Sequence, residues 1–246
     1  MEMTLLLILL FSAQLASGVL SATFTFKNNC RRPVWPGTLS GRGTPQLPTT
    51  GFQLDIGESQ TITTPPNWSG RFWARTHCRN ATANGKFICR TADCASGQLE
   101  CNGAGGIPPA TLIEFTLAGA GNQDFYDVSN VDGYNIPVSV TPQGSGLSCE
   151  STSCSSDINR VCPPELSVKG KRGKTTLACR SACEAFNHDP KYCCTGAFAS
   201  PQSCPPTNYS MIFKNACPQA YSYAYDDRTS TFTCGTGADY LITFCP

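Results

Sequence analysis

From Thr23 the chain alternates: in Thr23-Phe24-Thr25-Phe26-Lys27 every second residue is apolar, the period of a half-buried strand. Residues 59–63, 111–117, 136–140 and 240–244 are similar short runs, alternating or rich in β-branched and aromatic residues. Gly, Pro and Asn fill the spaces between them, and the chain holds 22 Gly and 18 Pro, a supply of turns rather than of long helices. The pattern predicts a mainly β fold with an antiparallel β-sandwich or flattened barrel at its core. One stretch breaks it: between residues 149 and 217 the cysteines crowd together and strand signals fade. Here 174–186 reads as a helix whose apolar stripe is Leu177, Ala178, Ala182 and Ala185. Four cysteines also fall within 24 residues in the segment 77–102. The expected organisation is a core of 22–76, 103–155 and 218–246, a small disulfide-bonded excursion at 77–102, and a disulfide-rich loop and helix lobe at 156–217.

The N-terminus sets the compartment. Residues 5–11 are uninterrupted apolar side chains followed by small and polar residues to Ser21, a secretory signal with the mature chain starting at Ala22. The run is far short of the ~20 residues a bilayer span needs. It departs from the usual signal in carrying Glu2 and no Lys or Arg. Sixteen cysteines in a secreted chain read as disulfides, although sixteen allow about two million pairings and the connectivity stays open at this point. A zinc set can be drawn from Cys179, Cys183, His188, Cys193 and Cys194, but oxidation and unfamiliar spacing argue against it. No metal and no cofactor are expected. With 18 Lys plus Arg against 17 Asp plus Glu, nothing points to nucleic acid. A monomer is expected.

Candidate chemistry centres on carboxylates. In 111–117, Ile113, Phe115 and Leu117 share one strand face, and Leu112, Glu114 and Thr116 the other, so Glu114 points away from the core. Asp127 and Asp132 follow closely, and Arg71 precedes on a run that also carries Trp73 and Arg75 on the same face. Two carboxylates ~4 Å apart repel by roughly 4 kcal/mol at an effective dielectric near 20, so one would keep its proton, the arrangement glycosidases use. The plainer reading of such groups is solvated surface charge. His77 and His188, the sole histidines, lie too far apart in sequence to give a hydrolase triad a good base, and both are expected at the surface. The basic run Lys169-Gly170-Lys171-Arg172-Gly173-Lys174 reads as a solvated loop, with contact to anionic lipid or phosphomannan, a route to fungal membrane damage, as the second reading.

Gly85-Lys86-Phe87-Ile88-Cys89-Arg90-Thr91-Ala92-Asp93-Cys94, with Cys101 beyond it, resembles the thaumatin family signature. Asn28-Asn29-Cys30, Gly70-Arg71-Phe72-Trp73-Ala74-Arg75-Thr76, Asp124-Phe125-Tyr126-Asp127-Val128-Ser129, Val131-Asp132-Gly133-Tyr134-Asn135, Tyr221-Ser222-Tyr223, Asp226-Asp227 and Phe244-Cys245-Pro246 extend the likeness over the whole mature chain. The resemblance implies the pairs Cys30–Cys245, Cys78–Cys89, Cys94–Cys101, Cys149–Cys234, Cys154–Cys217, Cys162–Cys179, Cys183–Cys193 and Cys194–Cys204. It implies an acidic cleft of Arg71, Glu114, Asp127, Asp132 and Asp226. Asp227 is the alternative to Asp226, since Ala224-Tyr225 departs from the more usual Pro-Lys. Asn130 stands where the family commonly has Leu. The implied function is that of a secreted, extracellular (apoplastic), pathogenesis-related plant-defence protein with antifungal action, binding fungal cell-wall β-1,3-glucan through the cleft. The alternative is a weak endo-β-1,3-glucanase with Glu114 as acid and Asp132 or Asp127 as partner.

Overall fold

The computed structural model describes residues 21–81, 85–144, 148–171 and 173–246. The expected signal segment therefore lies, but for Ser21, outside the described residues. In chain order the strands are β1 (Thr23–Asn28), β2 (Trp35–Ser40), β3 (Ser59–Thr63), β4 (Ser69–Arg75), β5 (Arg79–Asn80), β6 (Phe87–Ile88) and β7 (Leu112–Thr116). They continue as β8 (Gln123–Ser129), β9 (Val138–Gln143), β10 (Thr152–Cys154), β11 (Ser167–Lys169), β12 (Thr176–Cys179), β13 (Phe232–Gly235) and β14 (Asp239–Phe244). The helices are short: α1 (Ala182–Ala185), α2 (Pro190–Cys193), α3 (Asn208–Ala216) and α4 (Asp227–Ser230).

Two five-stranded sheets, ordered β10-β9-β14-β1-β3 and β13-β8-β7-β4-β2, make the sandwich. Both have free edges, so the core is a sandwich and not a closed barrel. Alternation does the work: Phe24, Phe26, Ile113, Phe115, Tyr126, Val128, Tyr240, Ile242 and Phe244 all turn into one buried cluster. Rings from the two sheets meet there, Phe24 with Phe115 at 4.7 Å and Phe26 with Phe72 at 5.0 Å between centroids. Each such buried side chain contributes roughly 1.5–3 kcal/mol.

One pairing departs from the antiparallel expectation. β1 and β14 run parallel, Asn28 opposite Phe244, because the first and last strands of the sandwich are free of any hairpin that would force them antiparallel. Parallel pairing brings the following residues of both strands to the same end, where Cys30 bonds Cys245. The remaining seven disulfides are also the pairs implied by the family resemblance. Removing the terminal clasp as the double variant Cys30→Ser/Cys245→Ser is expected to cost about 4 kcal/mol, since it frees a loop of 215 residues already shortened by other bridges. Calorimetry should show the melting temperature falling by on the order of 10 °C.

The helix expected over 174–186 is not formed. Residues Thr176–Cys179 instead make β12, paired with β11, and only Ala182–Ala185 is helical, capped by the Ser181 side chain accepting from the Glu184 amide. Cys179 is held extended from both sides: its disulfide to Cys162 and two backbone bonds to Tyr134, at 2.7 and 2.8 Å, outweigh local helix propensity. The main lobe helix is α3, which opens with a capping box between Thr207 and Ser210.

The excursion packs on the outer face of the second sheet. Trp73, Leu112, Ala110, Ala92, Cys94 and Cys101 form a second buried cluster there, and the Trp73 indole donates to the Ala92 carbonyl at 3.0 Å. Half of that outer face is thereby covered. The other half stays open.

Candidate functional site

The open half carries the charges. Cross-strand register sets Arg71 of β4 opposite Glu114 of β7, and Glu114 opposite Asp127 of β8. Residues so paired have Cβ atoms about 4.5–5.5 Å apart, and the neighbours of each point into the core: Phe72, Ile113, Phe115, Tyr126 and Val128 are buried. The three charged side chains therefore stand in a row across the sheet. Arg71 Nε lies 3.7 Å from Glu114 Oε1. The two side chains are 43% and 37% exposed, which keeps the strength of this pair under about 1 kcal/mol.

The far wall comes from the loop after β8 and from the segment 221–227. Asp132 sits beside Gly133, whose φ of +85° and approach to the Cys179 carbonyl exclude a side chain: a Cβ there would lie 2.6 Å from that oxygen. Substitution at 133 would push Asp132 out of place. Ser129 and Tyr221 form an isolated parallel bridge that fastens the second wall to the sheet. The result is a groove of about 340 Å³ lined by Arg71, Glu114, Asp127, Ser129, Asp132, Tyr221 and Asp227. A second depression of about 410 Å³ shares Arg71, Glu114 and Asp127 and runs on over Ser40, Ser69, Phe125 and Thr231. Together they form one trough along the sheet.

The two adjacent aspartates divide. Asp226 turns away: its carboxylate is 2.9 Å from Lys214 Nζ of α3 and accepts from the Ser222 amide and hydroxyl, each at 3.0 Å. Asp227 lines the groove and accepts from the Tyr221 hydroxyl at 2.9 Å. Successive residues of a helix start point about 100° apart, so one faces the lobe and the other the groove. The cleft position expected for Asp226 is filled by Asp227.

Burial and crowding decide where a proton sits. Asp127 is pushed from the ordinary 3.8 up to about 8, by burial first and then by Glu114, with Arg71 opposing. Its Oδ2 is buried and has no hydrogen-bond partner, as suits a neutral carboxyl. Burial also raises Glu114, with Arg71 pulling it back and Asp132 adding to the rise. Asp132 is raised by burial against the pull of Arg71. Burial thus favours the neutral form of all three carboxyls, and Asp127 is pressed furthest toward it.

Asn130 is buried as well. Its amide NH donates to the Tyr221 carbonyl at 2.9 Å, while its side-chain Oδ1 lacks a partner. Tyr221 is the groove residue that sequence reading passed over; it stood in a recognised motif but carries no formal charge to mark it. His188 is exposed and His77 half-buried against Arg32. Cys183, His188 and Cys193 lie close together, but Cys183 and Cys193 are bonded to each other and offer no thiolate to a metal.

An open carboxylate-lined trough on one sheet of a disulfide-stapled β-sandwich, flanked by a cross-linked lobe, defines the class. The family model of the thaumatin family matches residues 28–246, and the chain belongs to that family. Thaumatin-like protein 1 of Pyrus pyrifolia is 58% identical over 240 residues, covering 98% of this chain and 97% of that protein. A protein of Prunus avium named glucan endo-1,3-beta-glucosidase is 56% identical over 248 residues, covering both chains completely. Pathogenesis-related protein 5 of Arabidopsis thaliana is 55% identical over 240 residues, with 97% of each chain covered.

Proposed function

We propose that this protein is an extracellular plant-defence protein that binds β-1,3-glucan of the fungal cell wall along the acidic trough and so perturbs the fungal cell. The observation that carries the reading is the row Arg71, Glu114, Asp127 on three adjacent strands, forming the floor shared by two depressions. A trough open along its length suits a polymer, and carboxylates accept hydrogen bonds from sugar hydroxyls more strongly than neutral groups do. The relative from Prunus avium makes a β-1,3-glucan the first polymer to try. Eight disulfides accord with an oxidising, extracellular compartment.

A second reading, weak endo-β-1,3-glucanase action, is favoured by one feature: neighbouring carboxyls whose environments differ. Asp127 holds a proton it can give to a leaving glycosidic oxygen, while Glu114, beside Arg71, or Asp132 supplies the carboxylate that activates water or attacks.

Binding of soluble β-1,3-glucan and release of reducing sugar, measured on the purified protein and on Glu114→Gln, separate the readings. Binding predicts affinity weakened about tenfold in the variant with no sugar released by either. Hydrolysis predicts release by the native protein and none by the variant. Undiminished glucan affinity in the variant, with no release by the native protein, would sink both.

A further inference from the structure

A second cavity, of about 920 Å³, shares no lining residue with the acidic groove. It opens between the segment after β1, the end of β4 and the β11–β12 hairpin of the lobe. Its charge is the reverse of the groove's. Arg31, Arg32, Arg90 and Lys171 line it together with His77, against a single carboxylate, Asp157. Asp157 is already within 3.9 Å of Arg160. Among the described residues none of the four cations has a carboxylate in ion-pair range.

His77 reports the local potential. It is held at φ +54°, with Arg32 Nη1 2.8 Å from its Nε2. A guanidinium only donates, so that imidazole nitrogen accepts and the ring is neutral. Its pKa is lowered by burial and then by Arg32 and Arg90, the charged groups that face it. Cations gathered without a counter-charge are held against their mutual repulsion, and an oxyanion seated among them would reverse that.

The remaining lining narrows the anion. No Phe, Tyr or Trp ring lines the cavity. The exposed large apolar side chains, Ile56, Leu99, Ile107, Val161 and Met211, all lie elsewhere, so nothing anchors a bilayer. Asn29, Thr175 and Asn159 offer amide and hydroxyl groups, and the Asn159 Oδ1 is buried without a partner. The volume falls in the usual range for small-ligand sites, about 300–1,000 Å³.

We infer that this basic cleft is a second ligand site, independent of the acidic trough, that takes the phosphate group of a soluble, hydroxyl-rich phosphate ester such as a sugar phosphate. Guanidinium forks suit phosphate oxygens, and the amides and hydroxyls suit the sugar.

The test is titration calorimetry on the full mature protein in phosphate-free chloride buffer, with glucose 6-phosphate, inorganic phosphate, glucose and phosphatidylserine vesicles. Saturable binding of glucose 6-phosphate, weaker binding of inorganic phosphate and none of glucose are expected. In Arg32→Gln/Arg90→Gln the affinity should fall about tenfold or more while β-1,3-glucan affinity stays unchanged. The ring-proton NMR signal of His77 should titrate at higher pH in the presence of the ester. No saturation, equal affinity in the double variant, or binding to vesicles without response to the ester would overturn the assignment.

Discussion

Asp127→Asn is expected to make the protein more stable at neutral pH and to abolish any glucan hydrolysis. Folding raises the Asp127 pKa from 3.8 to about 8, so between those values the folded state holds a proton that the unfolded state releases. Stability then falls as pH rises through this window, by at most about 1.4 kcal/mol per pH unit. Below 3.8 the penalty is absent; above 8 it is complete. Asparagine keeps the shape and never ionises, so thermal melts should coincide near pH 3. They should separate progressively up to pH 8, with the variant melting higher. Melts that stay superimposed at all pH values would show that Asp127 is not crowded in the way its surroundings imply. On the hydrolytic reading, loss of the carboxyl most readily protonated in the groove should lower reducing-sugar release by about 100-fold or more. Glucan affinity, by contrast, should change little in Asp127→Asn, because the neutral acid and the amide present similar donors and acceptors.

Arg75→Met should act in the opposite direction on stability. Arg75 is fully buried, and its guanidinium donates to the carbonyls of Trp35 at 3.1 Å, Pro36 at 3.2 Å and Leu99 at 2.7 Å. It also lies over the Phe87 ring, 5.4 Å from its centroid. Burial lowers its pKa to about 10, with Asp93 and Glu100 partly restoring it, so it remains charged at neutral pH. This one side chain ties β2 to the excursion. Methionine fills the space but leaves the Trp35 and Leu99 carbonyls short of donors at about 1–3 kcal/mol each, and removes the cation facing Asp93 and Glu100. A loss of about 4 kcal/mol, on the order of 10 °C in melting temperature, is expected by calorimetry. Arg75→Lys should recover only part, since one ammonium cannot span three carbonyls in a fixed fork. Full recovery by lysine would mean that charge alone holds the excursion.

The strands were legible in the chain because the requirement that makes them is local. A period of two needs one buried face, and Phe24, Phe26, Phe115, Tyr240 and Phe244 met it where the alternation said they would. The orientation of Glu114 followed from the same rule, with Ile113, Phe115 and Leu117 buried around it. The helix expected over 174–186 failed because the stripe of Leu177, Ala178, Ala182 and Ala185 fits a helix only if Cys179 is free. Its bonds to Cys162 and Tyr134 are made across 17 and 45 residues. The helix at Asn208–Ala216 does have a local signal, the capping pair Thr207 and Ser210.

By itself, then, the sequence determined the sheet-forming runs, the cross-linked character of the chain and, through its motifs, its family. The tertiary structure alone decided that β1 and β14 pair parallel, that Asp227 rather than Asp226 faces the groove, that burial and Glu114 together press Asp127 toward its neutral form, and that four cations share a cleft with His77. Alternation along a strand is a property of neighbouring residues and can be read in order. Desolvation and the sum of nearby charges depend on groups brought together from distant parts of the chain, and no local pattern encodes that sum.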